Sequence, residues 1–441
     1  MKTTKAKFKQ TELGLIPQDW EVVKIDDVLD KIIDYRGKTP KKSGSGIKTL
    51  SAKSIKNGRI DYDQTYFISH ETFREWEKRG TPNVGDVLLT TEGPLGEVAQ
   101  LDKRNVAIAQ RLLTLRGKEG ELDNSYLKYV LMSPMGQQEL LSRSTGTTVQ
   151  GIKQSEFRKI LIAKPPFESQ NAIAKILSDL DSKIELNRRI NKILDAISRA
   201  IFKHWFIEFE FPNDEGKPYK SSNGKMIDSK LGKIPEGWTV SDLAEHVSVV
   251  KGCSYRSAEL RNSEIALVTL RSINRGGGFN QDGYKEYVGE YDESQVVKDG
   301  EIVVAQTDLT QKAEVIGRPA IVNSQGRYSK LVASLDLQIV RPKDDFSRNY
   351  AYYLLRTEEF HNHALSLTNG TTVLHLDKNA VPKFKAAVPS GEELDRFDSV
   401  IESALTRIIV DETEILTLSR IRDSLLPRLL SGKIIVPVEV R

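Results

Sequence analysis

A repeat of nearly half the chain governs what this sequence can fold into. Leu13-Gly14-x-Ile16-Pro17-x-x-Trp20 recurs as Leu231-Gly232-x-Ile234-Pro235-x-x-Trp238, 218 residues on (238 − 20). Gly146-Thr147-Thr148-Val149 recurs as Gly370-Thr371-Thr372-Val373, 224 residues on (370 − 146). A fixed period means one structural unit present twice, so the architecture is set before any local pattern is read.

A chain of 441 residues exceeds what one hydrophobic core usually serves, which agrees with two domains. Net charge is only +4, so basic residues matter through clustering rather than total, and nucleic acid is permitted but not demanded. The single cysteine, Cys253, excludes a disulfide framework and a cysteine-based zinc cluster, pointing to a reducing compartment. The basic start, Met1 to Lys7, is followed by no apolar run, and no stretch is long enough to span a bilayer. The expectation is a cytoplasmic protein without a membrane partner.

Within each repeat the order of signals is the same. β-rich runs such as Val87-Leu88-Leu89 and Ile302-Val303-Val304 follow Gly/Asp turns, and Pro165-Pro166 or Pro389 closes the globular part. Apolar residues then recur at helical spacing: Ile173, Ile176, Leu177, Leu180, Ile184, Ile190, Leu194, Ile197 and Ile201 first, and Leu394, Phe397, Ile401, Leu405, Ile408, Ile415, Leu418, Ile421, Leu425 and Leu429 second. A helix of about 38 residues is roughly 57 Å long, and one narrow apolar stripe suits pairing with a similar rod. Asn187 and Asp411 interrupt the two stripes at matching places, 224 residues apart (411 − 187). Either they face each other across an antiparallel seam and fix its register, or both point to solvent.

The run Ala196 to Glu210, the restart Leu231 to Trp238 and the ending Arg422 to Ile434 resemble the DNA-specificity subunit of type I restriction-modification systems. Tyr35 to Pro40, Thr91 to Pro94 and both Gly-Thr-Thr-Val segments are similar to motifs of that family's target-recognition domains. The resemblance covers almost the whole chain in order. It implies an α+β fold of two similar mixed α/β target-recognition domains joined by two long antiparallel helices. The parse is a first recognition domain at 1–166, a central helix at 167–211, a linker at 212–230, a second recognition domain at 231–389, and a C-terminal helix and tail at 390–441. Each domain is expected to read one half of a split site in double-stranded DNA, with the helices acting as a ruler. The resemblance also implies two methyltransferase subunits and, in the full complex, restriction/translocase subunits. S-adenosylmethionine, ATP and Mg belong on those partners, and no cofactor or metal is expected on this chain.

Base readout needs donors and acceptors on loops, backed by Lys and Arg on phosphates. The first repeat offers Tyr35, Arg36, Lys38, Thr39, Lys41, Lys42, Lys53, Lys56, Arg59, Gln110 and Arg111. The second offers Ser254, Tyr255, Arg256, Arg271, Asn274, Arg275, Thr307, Asp308, Gln311 and Lys312. Any one of these loops, taken alone, reads more simply as a solvated turn. Arg188, Arg199, Lys203, Arg420, Arg422 and Arg428 on the helices are candidate docking residues, or simply a charged solvated face.

Catalytic patterns are missing. There is no Gly-x-x-x-x-Gly-Lys-Ser/Thr phosphate loop, no Asn-Pro-Pro-Tyr motif of amino-methyltransferases, and no Gly-x-Gly-x-x-Gly after a strand. His361-x-His363 lacks further ligands nearby, and Cys253 has no base beside it in sequence. A non-catalytic DNA reader and scaffold is therefore expected. Two other classes stay open: an architectural protein that binds DNA without reading sequence, and the recognition part of a nuclease with intrinsic activity.

Overall fold

The structure, a computed structural model, describes residues 7–37, 39–309, 312–343 and 346–437. The chain divides into two compact units, residues 1–186 with 414–441 and residues 187–413. The long helices are therefore not separate domains, as the sequence parse had them. The central helix Phe167–Phe202 and the C-terminal helix Gly391–Leu430 each give part of their length to both units. The cause is local: each helix carries large apolar residues near its ends that pack into the adjoining globular core rather than only against the other helix.

The first unit holds two four-stranded sheets. One runs Leu95–Gln100, Val87–Thr91, Leu112–Gly117, Leu29–Asp34, all antiparallel. The other runs Ala107–Ile108, Ile47–Leu50, Tyr66–Ile68, Lys42–Ser43, with the first pair parallel. The second unit repeats the order of the large sheet and of three strands of the small one, whose fourth strand, Val296–Val297, lies on the opposite edge beside Lys330–Ala333. Its large sheet runs Pro319–Ile321, Ile302–Ala305, Leu337–Pro342, Val247–Lys251. Its small sheet contains Lys330–Ala333 parallel to Ile265–Val268, which pairs in turn with Lys285–Glu286. The near-continuous apolar runs of the central strands follow from burial on both faces: every residue of Val87–Thr91 and Ile302–Ala305 is buried. Gly85 and Gly300, at φ +94° and +88°, make the left-handed turns that start these two strands.

The duplicated Pro-Trp corner has a structural role that its sequence alone does not show. In the first unit it receives the end of the C-terminal helix. Gly432 (φ +68°) ends that helix, and a Cβ there would stand 2.2 Å from Pro17 Cγ and 3.5 Å from the Trp20 ring. In the second unit Trp238 receives the end of the central helix, with ring centroids 5.9 Å from Phe206 and 5.3 Å from Phe211. That helix ends in a single wide π turn, Lys203–Ile207, which turns Phe206 into the aromatic core around Tyr350 and Phe397.

Inside each unit the helix segments run antiparallel. In the first, Lys183 pairs with Glu414 at 3.2 Å, while Asp181, nearer the start of its helix, meets Arg422, nearer the end of the other. In the second, Asn191 Nδ2 donates to Ile408 O, and Phe202 packs on Phe397. From the Asn191 and Ile408 contact, four residues back along one helix and three forward along the other reach Asn187 and Asp411. Both are fully buried, so the solvent-facing alternative is excluded. Among the described residues no helix is long and apolar enough to cross a membrane.

Candidate nucleic-acid interface

Strand register brings the distant sequence motifs together. In the large sheet of the first unit Asp34 pairs with Leu113, and Thr90 with Leu112. The ends of Leu29–Asp34 and Val87–Thr91 therefore lie beside the start of Leu112–Gly117. The loops at Tyr35, at Glu92 and at Gln110-Arg111 emerge from one end of the sheet. The Gly146-Thr147-Thr148-Val149 hairpin joins them: Thr145 and Glu92 both bridge to Gly151, and Ile152 N donates to Thr91 O. Arg36 ties the cluster, donating to the Asp34 carboxylate and to Ile152 O at 3.1 Å. Arg111 pairs with Glu92 at 2.9 Å, both side chains about half exposed.

The second unit repeats this placement. Ala305 pairs with Leu337 and Lys251 with Gln338, so the loops at 252–256 and 306–309 leave the corresponding sheet end. The strand Thr307–Asp308 pairs with Leu374–Leu376, which holds the second Gly-Thr-Thr-Val hairpin. The two units therefore carry the same scaffold beneath different loop sequences.

Several residues proposed as readers from sequence are turned inward. Tyr35 is buried, stacked on Trp76 with centroids 5.6 Å apart, and its hydroxyl donates to Gly80 O. Thr307 is buried and donates to Asp336. Asp308 is buried and accepts from the amides of Val315 and Ile316, fixing the loop rather than facing out of it. Each sits in or directly beside a strand, and its polar atoms are taken up by protein groups rather than presented to a ligand. These three leave the candidate set. Lys38 and Gln311 lie outside the described residues.

Thr39, Lys41, Lys53, Lys56, Ser254, Arg256, Arg271 and Lys312 are exposed. Lys42 lies over the Tyr66 ring and Lys285 over the partly buried Tyr255. Gln110 is half-buried. Arg59 pairs with Glu185 of the central helix, Arg275 pairs with Glu314, and Asn274 Nδ2 donates to Phe279 O. Of the helix cations, Arg420 and Arg428 are exposed and Arg188 is half-exposed. Arg199 pairs with Asp195 and Lys203 with Glu208. Arg422 turns toward Asp181 and is a clamp within its unit, which removes it from the free docking surface. Exposed apolar side chains were missed on the helices, Ile193 on one and Ile409 and Val410 on the other, and Ile197, placed in the apolar stripe from sequence, is exposed as well. The sequence held that signal as apolar residues beyond the narrow seam.

A model for the type I restriction modification DNA specificity domain matches residues 17–196. The type I restriction enzyme MjaIX specificity subunit of Methanocaldococcus jannaschii is 26% identical, covering 97% of this chain and 96% of that protein. The MjaVIII specificity subunit of the same organism is 25% identical over 97% and 96%. The crystal structure of the type I restriction-modification S subunit from M. genitalium superposes with a TM-score of 0.53 over 93% of this chain and 96% of that one, at 17% identity, a likeness of fold. With its duplicated two-sheet units and paired helices, the chain is similar along nearly its whole length to type I restriction-modification specificity subunits.

Proposed function

We propose that this chain is the non-catalytic DNA-recognition subunit of a type I restriction-modification assembly, each unit reading one half of a bipartite site. The observation that carries this reading is the repetition of one sheet end, bearing unlike loops, in both units. A scaffold used twice with different loops fits a target of two different parts. Backbone contacts place such a protein, and base-edge contacts from the loops select sequence. Arg36, Thr39, Lys41, Lys42, Gln110 and Arg111 in one unit and Ser254, Arg256, Arg271, Asn274 and Lys312 in the other are the proposed DNA-facing set.

The helices, 36 and 40 residues long, set the unread spacer in this reading. At 1.5 Å per residue they measure about 54 and 60 Å, enough to span half-sites one turn of B-DNA apart, about 34 to 36 Å. Their exposed apolar and basic residues, Ile193, Ile197, Arg420 and Arg428 among them, dock two methyltransferase subunits. Those partners bring S-adenosylmethionine, and restriction/translocase subunits bring ATP and Mg. The complex works in the cytoplasm. Co-expression with a neighbouring methyltransferase, followed by genome-wide mapping of methylated adenine, tests this: a split motif is expected. Methylation without a split motif, or none above the methyltransferase alone, overturns it.

A further inference from the structure

Resting on the DNA-recognition reading, we infer that the Gly-Thr-Thr-Val hairpin of each unit is a sequence-independent phosphate clamp. Residues 146–150 are exposed, as are 370–372. Among the described residues, no protein group accepts from the backbone amides of 146–150 or 370–373, nor hydrogen-bonds the hydroxyls of Thr147, Thr148, Thr371 or Thr372. Neither turn contains a carboxylate. A run of N–H and O–H donors on an exposed turn, with no negative group in the turn itself, suits an anion.

The two turns also share their strain. Gly146 has φ +107° and Gly370 +111°, and a Cβ would meet Val149 O at 2.2 Å and Val373 O at 2.1 Å. Only glycine closes either turn without displacing backbone. Both are pinned to the same sheet end as the proposed reading loops, through Glu92 and Gly151 in one unit and through Asp308 and Leu374 in the other.

Identity between the units is the second observation. At that sheet end the residues in matching strand register, Tyr35-Arg36-Gly37 in one unit and Gly252-Cys253-Ser254 in the other, differ at all three positions, although a Tyr-Arg pair recurs at Tyr255-Arg256, while the hairpin tips are the same four residues. Two units that read different bases need different base contacts, but both must grip the same phosphate backbone. The difference assigns specificity to the loops and uniform grip to the hairpins.

The test is a full-length variant with Thr147→Val, Thr148→Val, Thr371→Val and Thr372→Val, which keeps β-branched shape and removes only hydroxyls. Binding is measured to a duplex that the unaltered chain selects from a random pool and to a mixed-sequence duplex, over a range of salt. The expected result is an affinity about three- to tenfold weaker on both duplexes, an unchanged ratio between them, and an unchanged salt slope, because no cation is lost. A lowered ratio would show that the hydroxyls read bases and overturns the clamp. So does unchanged affinity for both duplexes, and in that case loss of a co-purifying subunit would identify the turns as a protein contact. If the unaltered chain selects no duplex from the pool, the recognition reading itself fails, an outcome distinct from either.

Discussion

Arg356 of the second unit closes a two-pronged ion pair on Asp195 of the central helix, with the arginine side chain only 7% exposed. Tyr352 adds its hydroxyl to the same guanidinium at 3.2 Å. The pair anchors the globular part of the unit to its segment of the rod. Asp195→Ala strands the buried cation and is expected to destabilise this unit by about 2–3 kcal/mol, less than for a fully buried pair because Asp195 is partly wet. Joint replacement with Arg356→Met and Asp195→Leu is expected to recover most of that loss. Urea denaturation of the two variants beside the unaltered chain checks it, and equal losses in single and double variants would remove the anchoring role.

Asp181 does the corresponding work in the first unit, accepting from Tyr129 at 2.7 Å, Lys128 at 3.0 Å and Arg422 at 2.8 Å. Burial would push its carboxyl upward, but Lys128, Arg422 and Tyr129 outweigh that and hold it below the ordinary value of 3.8. A carboxyl depressed on folding adds stability that is present above its unfolded value and fades as pH falls through the folded one. Asp181→Asn should therefore lower the urea midpoint at pH 7, and the gap from the unaltered chain should close below about pH 4. A gap constant from pH 7 to pH 2.5 would contradict the charge argument.

The buried level of Asn187 and Asp411 carries a different expectation. Arg407 reaches Asp411 Oδ1 at 2.9 Å, so the carboxylate is held from its own helix. Asp411→Ala removes the partner of the half-exposed Arg407 and leaves a buried gap in the seam, and should cost about 1–3 kcal/mol. Replacing Asn187 and Asp411 together by Leu should be near neutral in stability while widening the set of helix registers. Broadened amide spectra at unchanged melting temperature are the expected signature, and a sharp spectrum with a large loss of stability would contradict it.

Arg256 is exposed, its backbone amide donates to Glu259, and among the described residues no ion pair holds its guanidinium. Arg256→Ala should leave the fold intact, weaken DNA binding, and reduce the salt slope by about one if the contact is to phosphate. Arg36 differs, because Asp34 and Ile152 O already hold it, and Arg36→Ala should also loosen the loop. Salt titrations of the two variants separate these effects. Identical affinity and slope for Arg256→Ala would take that loop off the DNA.

Four residues added to each long helix should lengthen the unread spacer. The rods grow by about 6 Å, which corresponds to roughly one or two base pairs at about 3.4 Å each. Mapping methylated sites before and after the insertion measures this, and an unchanged spacer would end the ruler proposal.

Much of the fold was legible in the residues. Repeated motifs at a near-constant offset announced two like units, and apolar residues at helical spacing without glycine announced both rods, because periodicity is a local property of the chain. The site was legible only in part. The composition of 34–42 or 306–312 shows that a loop is rich in donors, but not which side chains enter the core. Tyr35, Thr307 and Asp308 were misplaced for that reason.

The sequence by itself determined that one unit is used twice, that two long helices follow the globular parts, and which family the chain resembles. Only the tertiary structure decided that each helix is divided between units, that Arg422 and Arg356 are clamps, and that loops more than fifty residues apart share one sheet end. The physical reason is that strand register and buried ion pairs are long-range relations. They depend on which backbone lies opposite which, and no local pattern of residues encodes that.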